Sequence, residues 1–373
     1  MKERVAMIRK LIDGHYHLGR TSETTRCTNV KDLFLYREEA ELESVCVHSI
    51  VQWEMKNLLR NPLAVLAKIM DPQHIYAFGG VIYPQPDRQW EPFDYLGQAQ
   101  ELMAAGFDGI KIQNKPLCRG EWRIPYYHGN FDSFFAWLEQ KQIPIMFHIG
   151  DPKEFWDINR IPKGVYDLGW YYGEHLPSYE SFYEETDRLL EKFPKLNMTI
   201  PHFYFLSDDL KRLRSFMNQY PNVKLDITPG GEMYFNFSVC QDFARGFFLE
   251  YQDRILFGTD NYGGNENCDS KEQRILGMRK IQEMRAFLES DESVFQGTRL
   301  RGLSLPESAL NRIYRDNFIQ WAGEKPKPVR LSKAEQMVKK YREFAAESAD
   351  GKGLLEDFDE VLRQLEKRRD LWE

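Results

Sequence analysis

Excess positive charge is missing from this chain. Its 373 residues carry 50 Lys and Arg against 57 Asp and Glu, a net charge of −7. No basic run offsets this locally, so neither nucleic acid nor an anionic membrane surface is an expected partner. Cysteine is scarce as well. Cys27, Cys46, Cys118, Cys240 and Cys268 are odd in number, scattered, and nowhere spaced Cys-x-x-Cys. That excludes a disulfide framework and a thiolate zinc site. No apolar run reaches the ~20 residues that cross a bilayer. Met1-Lys2-Glu3-Arg4 leads into the first strand without the apolar core of a signal peptide, so the expectation is a cytoplasmic protein. Low-complexity segments and internal sequence repeats are absent too.

What is present is apolar material for a large core: 42% of residues are hydrophobic and 14% aromatic. Short apolar runs alternate with longer amphipathic stretches. The strand candidates are Lys10–His17, Ser44–Gln52, Ile75–Tyr83, Gly109–Gln113, Pro144–Ile149, Asn197–Phe203, Val223–Thr228 and Arg254–Thr259. Helical patterns lie between them at Val30–Leu42, Met55–Met70, Phe93–Ala105, Phe131–Lys141, Ser178–Phe193, Ser207–Tyr220, Phe237–Tyr251 and Ser270–Ser290. Such β–α alternation predicts a parallel sheet covered by helices. Eight units within about 250–300 residues predict an α/β fold, a (β/α)8 TIM barrel. A doubly wound sheet usually carries a Gly-rich first turn, whereas the turn here reads His-Tyr-His-Leu-Gly-Arg.

The barrel is assigned to residues 1–323 and a helical C-terminal extension to 324–373. Gly323–Pro328 reads as a linker. Ser332–Ala349 and Leu354–Leu371 read as charged amphipathic helices. They pack on the barrel or form a subunit contact, which admits a homodimer. Asp151–Pro177, after strand five, is a long segment rich in Trp, Tyr, Gly and Pro, with Glu174 and His175 near its end. Long βα loops lie on the catalytic side of a barrel and are usually functional. A lid and a self-packed surface excursion are both open readings of it.

Chemistry begins at Asp13-Gly14-His15-Tyr16-His17. On a strand, residues i and i+2 share a face, so His15 and His17 converge while Tyr16 turns away. Paired neutral imidazoles suit a borderline-soft divalent ion such as zinc. Alone, the pair also reads as two hydrogen-bonded structural histidines. Its missing partners stand at other strand ends: His148 closes Pro-Ile-Met-Phe-His, His202 closes Met-Thr-Ile-Pro-His, and Asp260 follows Ile-Leu-Phe-Gly-Thr. In a parallel barrel these ends face one crevice, where active sites form.

Taken in order, Asp13–His17, Gly109–Ile112, Phe147-His148, Pro201-His202 and Leu256–Asp260 resemble the amidohydrolase superfamily. The similarity is to its amidohydrolase-related, aminocarboxymuconate-semialdehyde decarboxylase-like branch. The stretch from Leu303-Ser304-Leu305-Pro306-Glu307 to Asn317 also looks like that branch's closing helix. The resemblance covers roughly residues 9–322. It implies His15, His17, His148 and Asp260 as ligands of one divalent metal ion, zinc first and manganese as the alternative. It implies His202 and Asp260 as catalytic residues. Three neutral nitrogens and a carboxylate leave one open position on such an ion, where water becomes acidic. Asp260 then serves as general base, and His202, as imidazolium or N–H donor, polarises the substrate. Lys111 occupies the place where two-metal members carry a carboxylated lysine; its other reading is a strand-end cation. Further substrate-binding candidates are Arg20, Gln113, Tyr204 and Glu232, with Arg26, Arg119, Arg123 and Tyr234 as surrounding possibilities.

The expected function is a metal-dependent hydrolase acting on an ester, lactone or amide of a small, carboxylate-bearing molecule. The alternative is a non-oxidative decarboxylase, a carboxy-lyase of an aromatic or unsaturated acid, on the same metal site. A third reading, a metal-bearing module without catalysis, sits poorly with five reactive strand-end residues.

Overall fold

The computed structural model describes residues 10–18, 28–51, 55–82, 94–116, 124–173, 176–230, 232–263, 270–347 and 351–369. Parallel strands β1 (Ile12–Leu18), β2 (Ser44–His48), β3 (Ile75–Gly80), β4 (Gly109–Asn114), β5 (Ile145–Ile149), β6 (Met198–Ile200), β7 (Lys224–Asp226) and β8 (Ile255–Leu256) pair in chain order. The chain leaving β8 runs on into β9 (Asn261–Gly263), which pairs parallel with β1. Gly14 N–H donates to the Phe257 carbonyl (3.0 Å) and Asp260 N–H to the His15 carbonyl (2.8 Å). The segment 255–263 is thus one staving edge that closes on β1, and the sheet is a (β/α)8 barrel.

Strand sequence and burial explain each other. Helices cover the outer face of a parallel barrel, so both faces of each strand are dry and the strands read as nearly continuous apolar runs. Inward residues Ile12, Cys46, Tyr76, Phe78, Met146 and Leu256 form one cluster with Phe318 and Trp321. The last two come from the helix Asn317–Ala322, which plugs the N-terminal end of the barrel. Asp13 locks the closure. Its carboxylate accepts from Thr259 N (3.0 Å), Thr259 Oγ1 (2.7 Å) and Tyr36 OH (2.9 Å), tying β1 to the β8 segment and the first helix.

Several boundaries differ from the sequence expectation. The strands β6, β7 and β8 are only three, three and two residues long, because polar side-chain bonds and tight turns replace ladder bonds beyond them. The helix expected over Phe237–Tyr251 is two helices, Met233–Val239 and Gln241–Glu250, broken at Cys240. An unforeseen hairpin pairs Glu292–Phe295 with Thr298–Arg301. Its turn, Gln296-Gly297, has both φ values positive (49° and 78°), as a two-residue hairpin with right-handed strand twist demands. Asn-Gly is the usual signature, and Gln-Gly hides it.

The C-terminal helices Leu331–Ala346 and Leu355–Arg369 pack on the outer helices Arg60–Met70 and Tyr95–Ala105. Asn61 Nδ2 donates to Tyr341 OH (3.2 Å), and Lys340 pairs with Glu101 (2.8 Å). The stretch 323–330 is a strap rather than a loose linker. Lys327 N–H donates to Asp108 Oδ1 (2.7 Å), and Tyr76 OH donates to the Gly323 carbonyl (2.9 Å). Asp108 also accepts from the buried Lys68 ammonium. Among the described residues no helix is long and apolar enough to cross a membrane.

Candidate metal centre

β1 delivers His15 and His17 to the C-terminal mouth of the barrel as the period of a strand requires, and Tyr16 turns outward to stack on Tyr36 (5.1 Å). His15 Nε2 lies 3.1 Å from His17 Nε2. Asp260 Oδ1 lies 3.0 Å from His17 Nε2 and 3.9 Å from His15 Nε2. Asp260 itself sits in the left-handed region (φ 53°), a strained setting that turns its carboxylate back over β1. Its side chain is 26% exposed while both imidazoles are sealed, so Asp260 is the member of the group that faces the opening.

The proton inventory of this group is decisive. His15 Nδ1 faces the Asp226 carboxylate (2.7 Å) and His17 Nδ1 faces the His48 carbonyl (2.6 Å). The His48 carbonyl only accepts, so His17 carries its hydrogen on Nδ1. The Lys111 ammonium, 3.2 Å from His15 Nε2, only donates, so His15 carries its hydrogen on Nδ1 toward Asp226. Each Nε2 is a lone pair. Burial holds both imidazoles below their usual range, which keeps them neutral. Asp260 is a carboxylate held below its usual range, the Lys280 ammonium contributing against the upward push of burial. Three lone-pair atoms therefore converge with no hydrogen among them. Ligands 2.0–2.2 Å from one tetrahedral ion stand roughly 3.3–3.6 Å apart, and the observed 3.0, 3.1 and 3.9 Å bracket that spacing. The donor set fits a divalent metal, with both histidines oriented through their far nitrogens as metal-binding imidazoles usually are.

Lys111, on β4, brings a cation against the group: its Nζ is 3.2 Å from His15 Nε2. Burial, partly opposed by Asp260 and Asp226, brings this ammonium down to about 8. His148 ends β5 as expected but does not join the group. Its Nε2 is 3.0 Å from the Gly150 carbonyl and 3.6 Å from Asp151 Oδ1, which hold the ring aside. Burial and the Lys115 charge lower it to about 3. His202 stands between them, its ring 6.0 Å from His15 and 4.9 Å from His148, with Phe205 stacked on it at 5.0 Å. Burial lowers it to about 4.

Of the remaining candidates, Gln113 is buried on β4 in register with His148. Glu232 is held above the usual carboxyl range by burial, with the Glu154 charge adding to the push. Tyr204 is a correction. His202, Phe203, Tyr204 and Phe205 all have positive φ (56°, 52°, 58° and 51°), a left-handed turn that costs about 1–2 kcal/mol per residue. It swings Tyr204 out of the crevice into the helix layer, against Tyr183 and Phe216 (both 4.8 Å). Arg20, Arg26, Arg119, Arg123, Glu174 and His175 lie outside the described residues.

The loop after β5 is internally packed. Trp156 meets Tyr172 at 4.7 Å, and Tyr172 OH donates to Asp151 Oδ2 (2.6 Å). Lys115 pairs with Asp151 Oδ1 (3.0 Å) and lies over the Trp170 ring (4.8 Å). Asp226 and His48 escaped the sequence reading although they touch both metal-facing histidines. The rule that found His148, a polar residue closing an apolar run, applies to both. It failed because Val223–Thr228 and Ser44–Gln52 read as longer strands with these residues inside. Burial pushes Asp226 up to about 7, against hydrogen bonds from Thr228 and His202.

A closed parallel barrel with imidazoles and a carboxylate clustered at the C-terminal mouth defines a class: the barrel enzymes that work at strand ends. Residues 71–317 match the sequence pattern of the amidohydrolase family, and the chain belongs to that family. No curated protein sequence matches it. Crystal structures of the same fold include 2,6-dihydroxybenzoate decarboxylase from Rhizobium, with 13% identity, 84% of this chain and 98% of that chain covered, and a TM-score of 0.51. Another is 4-oxalomesaconate hydratase from Rhodopseudomonas palustris, with 13% identity, 84% and 95% coverage, and a TM-score of 0.50.

Proposed function

We propose that this chain is a metal-dependent hydrolase that cleaves an ester, lactone or amide bond of a small carboxylate-bearing molecule. The observation that carries the reading is the convergence of His15 Nε2, His17 Nε2 and Asp260 Oδ1 with no hydrogen between them. These three residues would hold the ion, and His148 would complete the set by turning away from Gly150. A divalent ion there supplies Lewis acidity, which makes water acidic enough to lose a proton near neutral pH. Asp260, ionised and facing the opening, receives that proton at its carboxylate and returns it to the leaving group. Lys111 and Lys115 give the β4 side of the crevice positive charge, which suits a substrate carboxylate.

Decarboxylation on the same site is the second reading, favoured by one observation. Lys111, whose Nζ stands beside His15, is a protonated group placed to receive a carboxylate and to donate a proton to the carbon that loses it. Metal-loaded protein incubated with aromatic carboxylic acids and with lactones separates the two. Ring opening without gas release supports hydrolysis; carbon dioxide release from an acid, with no lactone turnover, overturns it in favour of the lyase.

A further inference from the structure

Asp226 touches both sides of the crevice at once. Its Oδ2 meets His15 Nδ1 (2.7 Å), and its Oδ1 accepts from the His202 backbone N–H (2.9 Å), Thr228 N–H (3.1 Å) and Thr228 Oγ1 (2.5 Å). Thr228 Oγ1 is in turn 3.1 Å from His202 Nδ1, and the Thr228 carbonyl is 3.3 Å from the same atom.

The direction of each hydrogen follows from atoms that have no choice. An ammonium only donates, so Lys111 fixes His15 Nε2 as an acceptor. The single hydrogen of neutral His15 is then on Nδ1 and points at Asp226. Backbone N–H groups only donate, so Oδ1 of Asp226 is an acceptor, and the Thr228 hydroxyl spends its one hydrogen there. That leaves Thr228 Oγ1 and the Thr228 carbonyl as acceptors toward His202 Nδ1, which must carry the ring hydrogen. His202 Nε2 is bare.

We infer that Asp226 and Thr228 are positioning residues that lock His15 and His202 in one tautomer. Both rings then present an unprotonated Nε2 to the crevice, and His202 acts on substrate or water as a proton acceptor. This reverses the donor role expected for His202 from the sequence. One carboxylate on β7 sets the polarity of the metal-facing and the substrate-facing imidazole together, so the two cannot be tuned apart by changing it. The metal part of the inference rests on the proposed metal site; the tautomers do not.

Nitrogen-15 NMR of the full chain, labelled at histidine and free of metal, reads the tautomers directly, with His15→Gln and His202→Gln variants assigning the signals. Both rings are expected as Nδ1–H. Asp226→Asn puts an amide opposite His15 Nδ1, and its N–H forces the hydrogen onto Nε2. Zinc affinity, measured by chelator competition, should fall about 10–100-fold. Asp226→Ala, which forces nothing, should fall less. A merely structural carboxylate predicts the opposite order. Thr228→Val should loosen the Nδ1–H preference of His202 while zinc affinity stays within about threefold. An Nε2–H form of His202 in the wild type, or Asp226→Asn binding zinc as tightly as wild type, overturns the inference. Failure of wild-type protein to bind any divalent ion defeats the metal reading instead, with the tautomers still measured.

Discussion

Zinc added to metal-free protein should raise its melting temperature, by an amount that can be worked out. The native state holds His15 Nε2, His17 Nε2 and Asp260 Oδ1 within 3.0–3.9 Å of one another. The unfolded chain keeps His15 and His17 as sequence neighbours but separates Asp260 from them, so an ion binds the native state far more tightly. At free zinc 100-fold above its dissociation constant the gain is about 2.7 kcal/mol. Unfolding entropy of roughly 2.1 cal/mol/K per residue over 373 residues sums to about 0.8 kcal/mol/K. Each kcal/mol is then worth about 1.3 °C, and the shift is about 3.5 °C. A further tenfold rise in free zinc adds about 1.4 kcal/mol, or roughly 1.7 °C. Differential scanning calorimetry in metal-buffered solutions measures this slope. His17→Ala should flatten it by removing a ligand. His148→Ala should weaken it only if that ring leaves the Gly150 carbonyl for the ion. No shift with zinc, manganese or cobalt, or an equal slope in His17→Ala, refutes the reasoning.

Two further outcomes test the frame around the site. A Cβ at Gly258 would lie 2.7 Å from His15 Cβ and 3.0 Å from Thr228 Cγ2. Gly258→Ala should therefore cost about 1–3 kcal/mol in urea unfolding and reduce the zinc-induced shift; wild-type behaviour in both would show that His15 is not tightly seated. Arg315 binds Glu43 through two bonds (2.6 and 2.9 Å) and holds its carboxyl below the usual range. A depressed carboxyl stabilises the fold above its unfolded pKa, and that gain is lost as pH falls through the folded value. The stability gap between wild type and Glu43→Gln should be at most about 1 kcal/mol at pH 7 and should shrink as pH falls below the unfolded glutamate value of about 4.3. A gap that widens in acid would reverse the sign.

The difference between what the sequence discloses and what it hides has a physical origin here. His15, His17, His202 and Asp260 were legible because each interrupts or ends an apolar run, and a barrel sends every such end to one mouth. That logic locates Cα atoms and leaves side-chain direction open. Direction is set by local backbone, and two of these residues, His202 and Asp260, sit at positive φ, a conformation with no composition signal when glycine is absent. The left-handed turn after β6 therefore sent Tyr204 into the helix layer against expectation while keeping His202 in the crevice. Asp226 was hidden for the complementary reason. β7 stops at Asp226 because its side chain takes the backbone N–H groups of His202 and Thr228, donors that a longer ladder would have used. The bonds that end the strand are the same bonds that orient the histidines. A run of apolar letters continuing through Ile227 cannot show where the ladder yields to a side chain. Strand ends are the positions where such substitutions of partner occur, so the hidden residues of a barrel site concentrate a few positions before the apparent end of each strand, two for Asp226 and four for His48. His48, inside the apparent strand Ser44–Gln52 and holding His17 through its carbonyl, obeys the same rule.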